Sequence, residues 1–187
     1  DFFGGITNTF SYKGFDLSVF FQYSSGNYLW NHSRYAQEQV GWSFNFGGFF
    51  LPYGNNTRRV EEERWRQPGD VTDIPRAGLG YVFDDDGNVV GEYQNWQEDS
   101  DQWLEDASFI RLKTLEFGYN LPKNLMTQIG LSSSKIYFRG QNLWTSTKYL
   151  GVDPEVSSNG ESVTRPGEDF GALGQPRTLI FGIKIGI

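Results

Sequence analysis

The final residues of the chain, 177–187, alternate in a way that restricts what they can form. Bulky apolar residues recur at every second position, with small or polar residues between them and one exception at Ile180. The apolar set is Leu179, Phe181, Ile183, Ile185 and Ile187. A period of two places successive side chains on opposite faces of a β-strand. Such a strand suits a membrane barrel, with lipid outside and a wet lumen inside, and equally a half-buried strand of a soluble sandwich.

Composition excludes several other classes of protein. Of the 187 residues 37% are hydrophobic, and no apolar run approaches the roughly 18 residues that a transmembrane helix needs. The net charge of −7 argues against a nucleic-acid partner and against a basic membrane-surface patch. The chain has no cysteine and a single histidine, His32, which excludes thiolate and histidine-cluster metal sites. We therefore predict no metal site and no cofactor.

Alternation predicts five strands and hence an all-β, antiparallel fold. The strands are predicted near 5–13, 15–28, 106–121, 134–145 and 176–187. Between the first two, Lys13-Gly14 predicts a tight hairpin turn, because glycine accepts the positive φ that short turns require. In the third strand the alternation changes phase around Arg111 and Lys113, which predicts either a β-bulge or the rim of the membrane there.

The connections between these strands are alternately short and long. The long ones lie near 29–105 and 146–175, whereas Lys13-Gly14 and Pro122–Ser134 are short. Outer-membrane barrels have short periplasmic turns and long extracellular loops, and a soluble sandwich has no reason to sort its connections in this way. Five strands cannot close a barrel, and open sheet edges are not tolerated in lipid. We therefore predict the carboxyl-terminal part of a larger transmembrane β-barrel; an oligomeric pore to which each subunit lends strands is the alternative.

The phase of each strand predicts which side chains face lipid. We expect the outer wall to carry Leu17, Val19, Phe21, Leu115, Phe117, Phe138, Phe181 and Ile183. We expect the lumen to receive Ser18, Gln22, Glu116, Arg139 and Lys184. The chain starts directly in a strand pattern at Asp1-Phe2, without a signal peptide, so we expect it to be a fragment.

Two local elements are predicted within the first long loop. Residues 57–67 predict a short helix with Thr57 as its amino-terminal cap, a Glu62–Arg66 pair and a stop at Pro68-Gly69. Residues 81–90 predict a hairpin whose turn contains Asp84, Asp86 and Asn88. These side chains suggest a calcium site, but their spacing departs from the EF-hand pattern and Asp-Gly-Asn is common turn chemistry, so we favour a turn.

The same loop contains the candidate partner- or substrate-facing residues. They are aromatic side chains interleaved with glycine, namely Trp42, Phe44, Phe46, Phe49, Phe50 and Tyr53. Such a surface can stack on sugar rings or dock a partner, and it can equally pack within the loop. The acidic runs 61–63 and 98–101 lack an accompanying histidine, cysteine or nucleophile, so we read them as solvated surface. We predict no catalytic residues and no enzymatic activity.

Several motifs together resemble one family. Residues 111–122 (RLKTLEFGYNLP) closely resemble the SusC/RagA-like TonB-dependent transporters of Bacteroidota outer membranes, and the resemblance continues in order through 141–143, 148–155 and 176–178. The residues that match the family's loop motifs are Trp65, Pro68, Gly69, Asp70, Asp73, Pro75, Arg76, Asp153, Pro154 and Glu155. We expect these loop residues to have a structural role. The resemblance covers nearly the whole chain, although the chain ends in Ile187 where the family commonly ends in an aromatic residue.

The resemblance implies a 22-stranded barrel with an amino-terminal plug, of which residues 1–187 form the carboxyl-terminal part as one domain. It implies an outer-membrane location with a periplasmic carboxyl terminus. It also implies a SusD-like surface lipoprotein as a lid, TonB acting through the missing amino-terminal part, and import of glycans or peptides. The alternative is a structural or accessory barrel subunit of an outer-membrane secretion or assembly complex, because a fold does not determine a function.

Overall fold

The structure is a computed structural model that describes residues 2–38, 45–46, 49–50, 57–76, 81–92, 100–158 and 167–187. Its strands are β1 (Phe2–Tyr12), β2 (Phe15–Ser25), β3 (Tyr28–Asn31), β4 (Asn45–Phe46), β5 (Phe49–Phe50), β6 (Tyr81–Phe83), β7 (Val89–Glu92), β8 (Leu104–Asp106), β9 (Phe109–Asn120), β10 (Ser133–Thr147), β11 (Glu168–Asp169) and β12 (Thr178–Gly186). Its α-helices are α1 (His32–Gln37), α2 (Arg58–Glu63) and α3 (Lys123–Gln128). None of the helices in these ranges is long and apolar enough to cross a membrane.

The main element is a five-stranded sheet in the order β1-β2-β9-β10-β12, and all of its neighbouring strands are antiparallel. The all-β, antiparallel fold predicted from alternation is confirmed. The strand ends differ from the sequence prediction. β2 ends at Ser25 rather than near 28, and β9 starts at Phe109 rather than near 106, because separate short strands, β3 and β8, occupy the flanking residues.

The first turn of the sheet has the geometry that its sequence predicts. Tyr12 pairs with Phe15, so Lys13 and Gly14 alone connect β1 to β2. Both have positive φ, 47° for Lys13 and 89° for Gly14, as a two-residue turn that follows the twist of its strands requires. The other short connection, between β9 and β10, contains helix α3, which the sequence analysis did not predict.

The predicted bulge is also present. Phe20 pairs with Thr114 whereas Phe21 pairs with Leu112, so Lys113 is the extra residue between β2 and β9. On the other side of β9 the register also shifts, between Gln141 and Trp144. The bulge returns the apolar residues of β9 on both sides of Lys113 to one face of the sheet, which explains the change of phase in the sequence.

The two faces of the sheet differ in chemistry. One cross-strand row consists of Phe10, Leu17, Phe117, Phe138 and Phe181. Phe10 and Phe181 are 62% and 78% exposed, so this apolar face is largely uncovered. The next row, on the opposite face, consists of Thr9, Ser18, Glu116, Arg139 and Ile180.

Charged groups on the polar face pair across the strands. Arg139 donates two hydrogen bonds to Glu116, at 2.9 and 2.6 Å. Lys135 lies 3.1 Å from an oxygen of Asp16 and 3.7 Å from an oxygen of Glu116. The Lys184 ammonium lies 5.3 Å from the centre of the Tyr137 ring, which places Lys184 on this face too. We call the face with the phenylalanine row the apolar face and the face with these charged groups the polar face.

The chain divides into two compact units. The first comprises residues 1–29, 106–156 and 172–187 and contains the five-stranded sheet, and the second comprises residues 30–105 and 157–171. A small core in the first unit consists of Leu29, Ala107, Tyr149 and Val156. A smaller core in the second unit pairs Val60 with Ile74. Each unit thus has buried apolar residues of its own.

Candidate functional site

The most buried charged group of the first unit is Arg111, on the polar face of β9 just before the bulge. Its side chain is 2% exposed. Nη2 lies 2.5 Å from Oδ1 of Asp153, and Nη1 lies 2.9 Å from Oε2 of Glu155. The guanidinium carbon also lies 5.5 Å from the centre of the Phe109 ring. One arginine therefore holds both carboxylates of the Asp153-Pro154-Glu155 motif.

Further contacts complete what we call the Arg111 cluster. Gln22 donates to Glu155 at 2.7 Å, and Lys113 lies 3.4 Å from the same carboxylate. Lys113 also donates to the side chain of Gln175 at 2.8 Å. The bulge that displaces Lys113 from the strand pairing thus brings two cations, Arg111 and Lys113, to one acidic turn. In the sequence, this site is marked only by the change of phase in β9 and by the loop motif.

The environment of Asp153 keeps it ionised. Burial alone would raise the pKa of Asp153. The hydrogen bonds from Arg111 and from the backbone N–H groups of Gln175 and Glu155 outweigh burial and hold the pKa below its ordinary value. The two backbone bonds, both 2.9 Å, also fix the start and the end of the segment that returns to β12. The geometry is that of a structural anchor.

A cavity of about 520 Å³ lies beside the cluster at strands β1 and β2, and residues of both faces of the sheet line it, Gly4 and Tyr23 among them. Residues that line it are Phe3, Phe20, Gln22, Phe109, Pro154 and Glu155. Gly5 lines it as well, and a β-carbon at Gly5 would lie 2.5 Å from the Phe20 ring. The ring therefore occupies the space that a side chain at Gly5 would need. We call this cavity the aromatic pocket.

In the second unit, residues 65–76, which contain the loop motif, form a compact segment next to helix α2. We call this segment the bracket. Thr57 caps the helix, accepting a hydrogen bond from the backbone of Val60 as predicted. The predicted Glu62–Arg66 pair is wrong: α2 ends at Glu63, so Arg66 leaves the helical spacing and contacts Glu61 instead. The helix therefore ends before Pro68-Gly69 rather than at them.

The acidic motif residues of this bracket are hydrogen-bonded. Asp70 accepts from the backbone N–H groups of Arg66 and Gln67, at 2.8 and 3.0 Å, which closes the turn in which Gly69 has a φ of 105°. Asp73 receives two hydrogen bonds from Arg59, at 2.9 and 2.7 Å. The N–H of Trp65 donates to the carbonyl of Ile74 at 2.9 Å. Pro75 and Arg76 directly follow this closure.

The second unit also contains a buried arginine that the sequence analysis did not identify. Arg34, in helix α1, donates to Glu38 at 2.7 Å and to Glu105 at 2.9 Å, and its guanidinium lies 5.3 Å from the Trp103 ring. Burial would lower the pKa of Arg34, but the bonds to Glu105 and Glu38 outweigh it and raise the pKa. Asn31 caps the helix by accepting from the Arg34 backbone at 2.9 Å.

The predicted hairpin over 81–90 is present as β6 and β7. Asp84 accepts from the backbone N–H groups of Asn88 and Asp86 at 2.8 and 3.0 Å, and its Oδ2 accepts from the Asn88 amide at 3.1 Å. The hydrogen bond from the Asn88 backbone is the main reason why the pKa of Asp84 lies below its ordinary value. The carboxylate thus serves the turn. Within the described ranges no group of three or more candidate ligand residues is placed to hold a metal ion.

The aromatic candidates lie almost entirely outside the described residues. This applies to Trp42, Phe44 and Tyr53, and to the side chains of Phe46, Phe49 and Phe50. The backbones of the latter three belong to β4 and β5, which form an antiparallel pair. Their assignment to a partner or substrate remains a prediction.

Comparison with known proteins identifies the class to which this sheet belongs. No model of a known protein family matches the chain. TonB-dependent receptors P3 and P26 of Formosa agariphila are 30% and 31% identical over 99% and 97% of the chain, and TonB-dependent receptor SusC of Bacteroides thetaiotaomicron is 25% identical over 97%. The chain spans 14 to 16% of the length of these relatives.

Solved structures give the same result. The RagAB peptide importer is 28% identical with a TM-score of 0.72 in its "closed-closed" state, and 26% identical with a TM-score of 0.71 in its "open-open" state. Each match covers 99% of the chain and 17% of the matched chain. The fold is therefore that of a segment of a TonB-dependent receptor barrel. Within that class, the predicted resemblance to the SusC/RagA-like receptors is confirmed.

Proposed function

We propose that the chain is the carboxyl-terminal part of a TonB-dependent outer-membrane importer of the SusC/RagA type. The observation that carries this proposal is the five-stranded sheet with one exposed apolar face and one charged face, in a chain that is similar over nearly its whole length to such receptors. In lipid, the apolar face forms the outer wall and the charged face lines the lumen. The relatives are named as receptors and transporters, which supports a non-enzymatic function.

In this proposal the whole protein takes up glycans or peptides with a SusD-like lipoprotein as its lid. The chain spans 16 to 17% of the receptors that it matches, and we assign the plug and the contact with TonB to the amino-terminal part of the whole protein. A 22-stranded barrel needs such a plug to close its lumen. The carboxyl terminus and the two short connections lie on the periplasmic side, and the long connections lie outside. An accessory barrel subunit of a secretion or assembly complex is the alternative function.

Adjacent positions in β2 test the membrane arrangement. Leu17→Arg places a charge on the apolar face and should cost roughly 2–4 kcal/mol near the bilayer midplane, whereas Ser18→Arg on the polar face should cost far less. The measurement is the fraction of full-length protein that assembles into a heat-modifiable barrel. Better assembly of Leu17→Arg than of Ser18→Arg would overturn the assignment of the faces.

Uptake itself is tested in cells of the native host. We expect growth on the transported glycan or peptide to require the full-length protein and TonB. The control is a nutrient that crosses the outer membrane through general porins. Growth that survives loss of TonB would exclude import by this route and favour the accessory-subunit alternative.

The lid contact is assigned, as a proposal, to the aromatic residues between Trp42 and Tyr53. Exposed apolar patches of this kind usually mark an interface. Deletion of residues 41–53 from the full-length protein should abolish co-purification of the lipoprotein and leave barrel assembly normal. Deletion of the hairpin 81–92 shortens the same loop by a similar length and is the matched control. Equal loss in both deletions would attribute the effect to loop length and exclude the aromatic residues as the specific contact.

A further inference from the structure

Two short strands join the two long connections of the chain to each other. β3 belongs to the first long connection and β11 to the second, and the two strands pair in parallel. The N–H of Trp30 donates to the carbonyl of Gly167 at 2.8 Å across this junction. We call residues 30–33 and 167–171 the loop clasp. All of them belong to the second unit.

Side chains add further contacts to the loop clasp. The hydroxyl of Ser33 accepts a hydrogen bond from the N–H of Gly171 at 2.7 Å. Nδ1 of His32 lies 3.3 Å from Oε1 of Glu168, and the centre of the His32 ring lies 4.5 Å from that of Phe170. The clasp is therefore held by several polar contacts and one contact between rings.

The loop clasp buries polar groups rather than apolar ones. Its two most buried residues, Asn31 and Asp169, are polar and each 1% exposed. No clasp residue belongs to either of the two apolar cores. Opening the clasp would therefore expose groups that water can hydrogen-bond, and the net cost is small compared with opening an apolar core. β11 is also an edge strand of two residues, so β3 keeps β8 as its partner when β11 leaves.

The Arg111 cluster attaches the second long connection to the sheet on both sides of the clasp in the chain. Asp153 and Glu155 precede the clasp segment 167–171 and pair with Arg111. Gln175 follows that segment, and its side chain accepts a hydrogen bond from Lys113 at 2.8 Å. The second connection therefore stays attached to the sheet at both ends when β11 separates from β3, and the change remains local.

We propose that the loop clasp is a conformational joint that opens while the rest of the second unit stays folded. The closed clasp makes the two long connections move together, and the open clasp lets the first move without the second. A partner that binds one of these two states more tightly shifts the chain towards that state. The joint goes beyond the proposed import function, because its opening does not depend on what the barrel transports.

Hydrogen exchange of the full-length protein in detergent measures this opening, with single amides resolved by mass spectrometry after electron-transfer fragmentation. The reporters are the amides of Trp30 and Gly171, whose hydrogen bonds cross the clasp. The references are the amides of Arg34 and Trp65, whose hydrogen bonds lie within the first connection. After correction for intrinsic rates, we expect the reporters to exchange at least about tenfold faster than the references.

One substitution should weaken the clasp. Ser33→Ala removes the acceptor of the Gly171 N–H, so the exchange of the Trp30 amide should become about three- to tenfold faster while the references stay unchanged. Ser24→Ala is the matched control, since it removes a hydroxyl that donates to Asn27 at 2.8 Å in the first unit. We expect no effect of Ser24→Ala on the clasp.

A disulfide should close the clasp permanently. Trp30 and Glu168 are opposite each other in the pairing of β3 with β11, which suits a disulfide between Trp30→Cys and Glu168→Cys. In the oxidised form, Gly171 should exchange as slowly as the references, and reduction should restore its rate. The control is the pair Thr9→Cys and Ser18→Cys, which are opposite residues of β1 and β2.

Each part of the experiment can overturn the proposal. Reporters that exchange no faster than the references would mean that the clasp opens only together with the whole second unit. Fast exchange of Gly171 in the oxidised Trp30→Cys/Glu168→Cys variant would mean that exchange does not require β11 to leave β3. An equal effect of Ser24→Ala and Ser33→Ala would exclude a local joint. Growth without TonB overturns the import function and leaves these exchange rates untouched, so the two failures are distinguishable.

Discussion

Each of the two units contains a buried arginine paired with two carboxylates, but the sources of these carboxylates differ. Arg111 takes both of its partners from one turn, Asp153-Pro154-Glu155, about 40 residues later in the chain. Arg34 takes one partner, Glu38, from the residue that caps the carboxyl end of its own helix, and the other, Glu105, from a distant segment. The Arg111 pairs therefore anchor a segment to the sheet of the first unit, which we call the sheet unit. The Arg34 pairs join two segments of the second unit, residues 30–105 and 157–171, which we call the loop unit.

The carboxylates that pair with the two arginines also differ in how many other partners they have. Glu38 has further partners in Arg59, at 3.1 Å, and in the Thr57 hydroxyl, at 3.3 Å. Asp153 has no cation besides Arg111 among the described residues and depends otherwise on backbone N–H groups. Removal of the arginine should therefore destabilise the sheet unit more than the loop unit.

The largest effect is expected for Arg111→Met. It leaves the buried Asp153 carboxylate without its counter-charge and the half-buried Glu155 carboxylate with Lys113 alone, and breaking a buried pair in this way costs about 3–5 kcal/mol. We expect a matching fall in the free energy of unfolding of the full-length barrel in detergent, measured with urea. Lys113→Met is the control, because Lys113 is more exposed and Glu155 keeps Arg111. If Lys113→Met lowered the free energy of unfolding as much as Arg111→Met does, burial of the cation would not determine how much its ion pairs stabilise the barrel.

Arg34→Met should have a smaller and more local effect, about 2–4 kcal/mol, since Glu38 keeps Arg59. We expect faster proteolysis of the loop unit and a barrel that still migrates in its heat-modifiable form. The matched control is Arg58→Met, because the Arg58–Glu62 pair is solvent-exposed at 3.7 Å. Loss of barrel assembly in Arg34→Met would show that the loop unit is needed to form the barrel.

The two arginines also show what sequence patterns can reveal. Alternation predicts the five strands, their faces and the bulge at Lys113 because a period of two and its interruption are local properties. The motif predicts that Asp153 and Glu155 matter, but not that Arg111 binds both. Arg34 escapes prediction because Glu105 is 71 residues away and α1 is only six residues long. Its helical pattern is too short to distinguish from a loop, and contacts between distant segments leave no period in the sequence.

Asp153→Asn tests whether the ionised carboxylate of Asp153 stabilises the sheet unit, because this contribution to stability should depend on pH. The pKa of Asp153 is lower in the folded state than the ordinary value of about 3.9, so the unfolded state takes up the proton more readily. The ionised group therefore stabilises the fold above the unfolded-state pKa, and this contribution is lost as pH falls through the folded-state value.

At pH 7 we expect Asp153→Asn to cost about 1–3 kcal/mol, because the charge-assisted bond to Arg111 is weakened while the side chain keeps its shape. The difference between wild type and variant should shrink as pH falls below about 4. Urea unfolding at pH 7 and below pH 4 measures it. A difference in the free energy of unfolding between wild type and Asp153→Asn that is constant with pH would contradict the assignment.

The smallest effect is expected for Asp73→Asn. This substitution tests whether an aspartate of the loop motif contributes as much to stability as Asp153 does in the sheet unit. Asp73 receives two hydrogen bonds from Arg59, but its side chain is 67% exposed and water screens the pair. Such pairs contribute about 1 kcal/mol or less, and salt weakens them further. Arg59 also keeps Glu38 and Glu63 when Asp73 is neutralised. We expect little change in proteolysis of the loop unit at 0.15 M salt and none at 1 M. A loss comparable to that of Arg34→Met would mean that the bracket over 65–76, rather than the buried arginine, holds this unit together.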